Sequence, residues 1–122
     1  MTPFPRIPLR ALAVSLLAIA SANVLAQEKA AGQATRISLA EDDKVQVSEI
    51  RQQPGEVSTP NTGVYRVIRA LQGGTLLRTY ADGKTEESLW KTGEVQIQLP
   101  GPAYTVKNVG NTEVVLYVVR LK

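Results

Sequence analysis

From Arg36 onward the chain is dominated by apolar residues spaced for strands. Lys44–Ile50 (KVQVSEI) and Glu94–Leu99 (EVQIQL) alternate apolar and polar residues with a period of two, the pattern of strands that bury one face. Val64–Leu71 (VYRVIRAL), Thr75–Tyr80 (TLLRTY), Thr85–Lys91 (TEESLWK), Tyr104–Val109 and Glu113–Leu121 (EVVLYVVRL) predict five further strands. Gln53-Pro54-Gly55 and Gly110-Asn111 are turn signals. Gly73-Gly74 and Asp82-Gly83 predict two tight hairpins. The last strand is apolar at Val114, Val115, Leu116, Val118, Val119 and Leu121. One of its faces is expected in the core, the other against a partner or a second sheet. Strands with turn signals every 8–12 residues, and no helical period, predict an all-β sandwich or barrel.

The opening segment follows other rules. Met1–Arg10 carries Arg6 and Arg10 and no acid; Ala11–Ala20 is apolar; Ala20-Ser21-Ala22 and Val24-Leu25-Ala26 each offer small residues for cleavage. These are the three parts of a secretory signal peptide. The expected division is a signal peptide over 1–26, a small polar lead-in over 27–35 and one domain over 36–122. A spanning helix needs about 20 apolar residues, and Ser21 and Asn23 interrupt this run. The expected location is periplasmic or secreted, with no membrane anchor after processing.

Composition then narrows the chemistry. Of the 122 residues, none is histidine and none cysteine. That removes the usual general base near neutral pH, the commonest metal ligands, disulfides, and Ser-His or Cys-His nucleophile pairs. Cleavage after Ala26 takes two arginines and no acid, so the formal charge of +3 falls to +1. That is no footprint for nucleic acid. A domain of this size buries a modest share of its surface, and a homodimer is expected.

Two segments resemble the motifs of one family. Pro54–Gly74 (PGEVSTPNTGVYRVIRALQGG) is similar to the first cupin motif: glycine, five residues, His-x-His, three or four residues, glutamate, six residues, glycine. Counted from Gly55, the histidine places hold Asn61 and Gly63, the glutamate place holds Val67, and Gly74 closes the motif. Gly93–Asn108 (GEVQIQLPGPAYTVKN) resembles the second motif, with Gly101 inside it, Tyr104 at the last histidine place and Asn108 at its end; Leu99 replaces the usual proline. The hairpin YADGK between them and a valine-rich strand ending in lysine complete the likeness over Lys44–Lys122. The resemblance implies a small antiparallel jelly-roll barrel. It also implies that the family's metal chemistry does not carry over. Gly63 and Val67 have no donor atom, an Asn61 amide oxygen suits hard cations, and tyrosine ligates only when deprotonated. No cofactor is expected.

Two groups of residues are candidates for binding. If both hairpins are two-residue turns, Arg69 faces Arg78, and Arg78 faces Glu87. The same register stacks Leu71, Leu76 and Leu89 and sets Tyr80 opposite Val67. Like charges directly opposite are unfavourable unless an acid or anion lies between them. The row is therefore either an anion pocket at the barrel mouth or a solvated set balanced by Glu87. Asn61, Tyr104 and Asn108 lie near the family's metal position and suit a small polar ligand. Trp90 and Tyr65 are further contact candidates, set against ordinary packing. The expected function is an exported, metal-free module that binds a small polar or anionic ligand, or a partner, without catalysis. The alternative is a metal-independent isomerase or lyase using Tyr104 and an arginine.

Overall fold

The computed structural model describes residues 31–58 and 64–122, all in strands, turns and loops. The strands are β1 Thr35–Glu41, β2 Val45–Gln52, β3 Val57–Ser58, β4 Arg66–Gln72, β5 Gly74–Tyr80, β6 Thr85–Trp90, β7 Val95–Gln98, β8 Tyr104–Asn108 and β9 Val114–Leu121. They form a five-stranded sheet ordered β1-β2-β9-β4-β7 and a four-stranded sheet ordered β3-β8-β5-β6. Every strand pairing is antiparallel. The seven strands expected from alternation are present within two residues at each end. The expected signal peptide lies outside the described residues. The polar stretch before β1 ends in paired backbone: Gln33 bridges Val57, and Ala34 packs against the core.

One parity organises the barrel. Even-numbered side chains of β2, β4, β5, β6, β8 and β9 face inward, and Ile50, Ile68, Ala70, Leu76, Trp90, Val114, Leu116 and Val118 form the core between the sheets. Odd-numbered residues of the larger sheet make its outer face. There Val47, Val119, Val67 and Ile97 stand side by side through the pairings β2–β9–β4–β7. β9 carries apolar residues on both faces because it is central in this sheet and its outer neighbours are apolar too.

Gly73-Gly74 is not a hairpin turn. Neither glycine has a positive φ, unlike Gly55, Gly83 and Gly93, and type I′ turns require positive φ. Instead β4 and β5 belong to different sheets, and the glycines carry the chain from one to the other at close quarters. A Cβ on Gly73 would run into the Trp90 carbonyl oxygen, and one on Gly74 into the Val114 side chain. The neighbours at Gly73 are backbone and have little freedom to retreat. Gly73→Ala is therefore expected to cost about 3 kcal/mol, the upper range for overpacking; an unchanged urea midpoint would contradict the tight crossing.

The second hairpin is one residue longer than expected. Tyr80 N–H donates to the Lys84 carbonyl, Gly83 N–H donates to the Tyr80 carbonyl, and Gly83 sits at φ +90°. The loop is Ala81–Gly83, so Arg78 faces Glu86 and Leu77 faces Glu87. A slip of one residue exchanges every facing pair. The expected leucine stack dissolves with it: Leu76 is buried, whereas Leu71 and Leu89 are exposed. Elsewhere, short turns are fastened by acids. Asp42 accepts the N–H groups of Val45 and Lys44, and these bonds hold its carboxyl below the ordinary value. Glu94 accepts the Lys91 N–H, with the same consequence, and also the Gln96 amide.

Candidate functional site

At one end of the barrel the inward row of the larger sheet turns polar. Gln46, Arg120, Arg66 and Gln98 are direct cross-strand partners in that order. From the smaller sheet Arg78, Tyr80 and Tyr104 face them. Arg66 is 8% exposed. Its Nη2 donates to the Tyr104 hydroxyl at 2.8 Å. The Arg78 guanidinium carbon lies 4.7 Å from the Tyr104 ring centroid, and that of Arg66 lies 5.9 Å away, both within cation–π range. Tyr80 packs edge-on against Tyr104 with centroids 5.5 Å apart. The tyrosine ring is thus held between two cations and a second ring.

The charges are poorly balanced. Arg78 Nη1 lies 3.7 Å from Glu86, whose side chain is mostly exposed. Arg66 has no acid partner, and its buried Nε has no hydrogen-bond partner among the described residues; the same holds for Arg120 Nε. Arg120 Nη1 donates to Gln46 at 3.2 Å. An unpaired buried donor costs about 1–3 kcal/mol, more when charged. Two arginines directly opposite on β4 and β9 add like-charge repulsion.

Two connected spaces open beside these residues. An inner cavity of about 50 Å³ is bounded by Arg66, Arg78 and Tyr104 and by apolar core residues including Leu76, Trp90 and Leu116, with Ser58 and Ser88 on its wall. An outer space of about 110 Å³ shares Arg66, Arg78 and Tyr104 and is closed by Tyr80, Gln98, Leu99 and Pro102. No Asp or Glu lines either space among the described residues.

The expected site residues fare differently. Tyr104 and Arg78 line both spaces. Asn61 and Gly63 lie outside the described residues. Arg69 is not part of the site: it is exposed on the outer face, between Tyr117 and Val95, and Arg78 is in the other sheet. Val67, matched to the family's glutamate, also points outward, and Ile68 is the inward residue there. The apolar residues of β4 occupy both parities, so alternation did not choose its face; the inward arginine is Arg66, three positions earlier. Its signal was available as shared parity with Ile68 and Ala70. Trp90 is core and lines the inner cavity, and Tyr65 is exposed.

Asn108 is a fastening. It is 1% exposed; its amide donates to the Gln52 and Thr112 carbonyls, and its oxygen accepts the Gly110 N–H. It closes the turn before β9 at the barrel end opposite the arginines. Asn108→Ala leaves three backbone groups without their partner and is expected to cost about 2–4 kcal/mol. Ligand binding by the folded fraction should not change. A weakened ligand affinity at unchanged stability would return Asn108 to the site.

The described residues here are a poor ligand set for a metal ion. With Val67 outward, the described residues at the family's metal position offer Tyr104 as donor, and two guanidiniums flank it. No group of three Asp or Glu gathers anywhere among the described residues, and the chain has no His or Cys.

Comparison with known proteins bears on the fold. No protein-family model matches the chain, and no curated relative does. Solved structures do. A cupin domain from Bordetella pertussis Tohama I superposes with a TM-score of 0.68 at 22% identity, over 78% of this chain and 99% of that one. A predicted oxalate decarboxylase from Thermotoga maritima gives 0.58 at 17% identity, over 78% and 90%. A polyketide cyclase from Streptomyces resistomycificus gives 0.56 at 19% identity, over 79% and 67%. Identities this low speak for fold and not for activity. Two antiparallel sheets closing on one core, and these neighbours, identify the chain as a small cupin-like jelly-roll barrel.

Proposed function

We propose that this barrel is a metal-free, non-catalytic module of an exported protein that binds a small anion between Arg66, Arg78 and Tyr104. The observation that carries the reading is Arg66: a buried guanidinium at the wall of a cavity, without an acid partner and with its Nε unpaired among the described residues. A carboxylate or phosphate placed there accepts charge-assisted hydrogen bonds and removes the cost of the unpaired donor. Export is supported by the charged, apolar and small-residue pattern of residues 1–26.

Binding is favoured over catalysis by what lines the cavity. Proton transfer needs a base within hydrogen-bond reach of the substrate. Neither space has an Asp or Glu on its described walls, and histidine is absent. The Tyr104 hydroxyl already accepts a hydrogen bond from Arg66. The arrangement suits negative charge, and among the described residues that line it Tyr104 alone could move a proton.

Thermal unfolding of the purified protein with a panel of small anions tests the reading. At least one carboxylate or phosphate should raise the midpoint in a saturable way, because a ligand that binds only the native state stabilises it. Should no anion do so at about 100 times a micromolar affinity, the site holds no anion.

A further inference from the structure

The two spaces differ in chemistry, and the difference describes a ligand. We infer that the anion is a short-chain aliphatic monocarboxylic acid, seated with its carboxylate at Arg66 and Arg78 and its hydrocarbon end in the inner cavity. The inference rests on the anion-binding reading above and adds the ligand's class.

The inner cavity carries the hydrocarbon part. Beyond the arginines and Tyr104 its walls are mainly apolar, with Ile50, Ile68, Leu76, Trp90, Leu116 and Val118 beside the polar Gln52, Ser58 and Ser88. The six apolar residues are buried in the core. A hydrated inorganic anion gains nothing from such walls, since its charge is better solvated at the mouth. An alkyl end does gain, by about fourfold in affinity per buried methylene. The size limits that end. At about 50 Å³, the cavity is about a third of the ~150 Å³ apolar cavity that accepts benzene. That leaves room for two or three carbon atoms.

The charge balance supports one negative charge rather than two. Arg78 already has Glu86 at 3.7 Å. Arg66 commits one N–H to Tyr104 and has no acid partner among the described residues. Arg120 stands next to Arg66 on the neighbouring strand, but it does not line either space. One carboxylate therefore meets the charge that, among the described residues lining the cavity, has no acid partner. The outer space lies toward the mouth, where Gln98 can hydrogen-bond the second carboxylate oxygen or its water.

Titration calorimetry with acetate, propionate, butyrate, hexanoate and inorganic phosphate reads the inference. Affinity should rise about fourfold per methylene from acetate to butyrate and stop rising by hexanoate. Phosphate should bind more weakly than butyrate. Ser88→Leu places its own side chain in the inner cavity, so butyrate should fall to the affinity of acetate. Val106→Ala enlarges the same cavity from β8 and should move the preferred acid to a longer chain; it serves where Ser88→Leu does not fold. Acetate or phosphate binding as tightly as butyrate to the wild type would overturn the alkyl-acid inference and leave the anion site standing. Binding of none of the five would remove the anion site itself.

Discussion

Val114→Asp should unfold the barrel. Val114 is fully buried in β9, between the two sheets, and lines neither cavity space. It packs against Gly74 where the chain crosses from one sheet to the other. Its cross-strand partner Gln52 has already committed its amide to the Glu56 and Val106 carbonyls. A carboxylate there meets no cation and no water. The effective penalty for such an ion is several kcal/mol, and the lost apolar contact adds about 1–2 kcal/mol more. Small domains hold about 5–15 kcal/mol in total, so the variant should be largely unfolded in the absence of denaturant, as circular dichroism would show. Val118→Asp is the informative contrast. Val118 is as well buried, but it stands two positions from Arg120 and diagonal to Arg66, distances on the order of 7 Å across a sheet. An aspartate at 118 can be neutralised by those arginines and should cost less. Equal damage from both variants would mean that the arginines do not reach inward as described.

Alternation marks strands in this chain better than it marks their faces. Lys44–Ile50 and Glu94–Leu99 are strands, but their apolar residues Val47, Val95 and Ile97 lie on the outer face of the larger sheet, while Ser48 and Gln98 take the inward parity. Val64–Leu71 and the last strand are apolar on both parities, because both belong to a sheet whose outer face also carries Val47, Val67, Val119 and Ile97. In such a strand the hydrophobic pattern marks the element and leaves its face open. The face of β4 decides whether Arg66 or Arg69 enters the barrel. Register failed at two glycine-containing turn signals for separate reasons. Asp82-Gly83 does turn a hairpin, but with three loop residues, which brings Glu86 and not Glu87 to Arg78. Gly73-Gly74 signals close approach of backbones, and a tight crossing between sheets uses the same residue as a tight turn. Arg78 was legible in the sequence as a candidate, and it does line both spaces; Arg66 required the three-dimensional register. Asn108 read as a ligand because a buried amide and a binding amide look alike in sequence.

Arg66→Met should separate stability from binding. Methionine keeps the length of the side chain and removes the charge and the unpaired Nε. Replacing a poorly paired buried ion by an apolar side chain is often stabilising by about 1–4 kcal/mol. Against this stands the hydrogen bond to Tyr104, worth about 1.5–3 kcal/mol with a charged donor. The repulsion between Arg66 and Arg120, direct partners on β4 and β9, also disappears. The ligand-free variant should therefore melt no lower than wild type, and by about 4–8 °C higher if the net gain is about 1 kcal/mol. Its response to ligand should be lost. A saturating anion at about 100 times its dissociation constant stabilises wild type by about 2.7 kcal/mol; the variant, without the Arg66 cation on the cavity wall, should show almost none of this.

The most direct measurement is a thermal melt of wild type and Arg66→Met side by side, each with and without butyrate. The expected result is a saturable upward shift in wild type, none in the variant, and a ligand-free variant at least as stable as wild type. An equal shift in both proteins, or a ligand-free variant that melts well below wild type while wild type ignores every small anion, would mean that Arg66 is a structural residue and not the heart of an anion site.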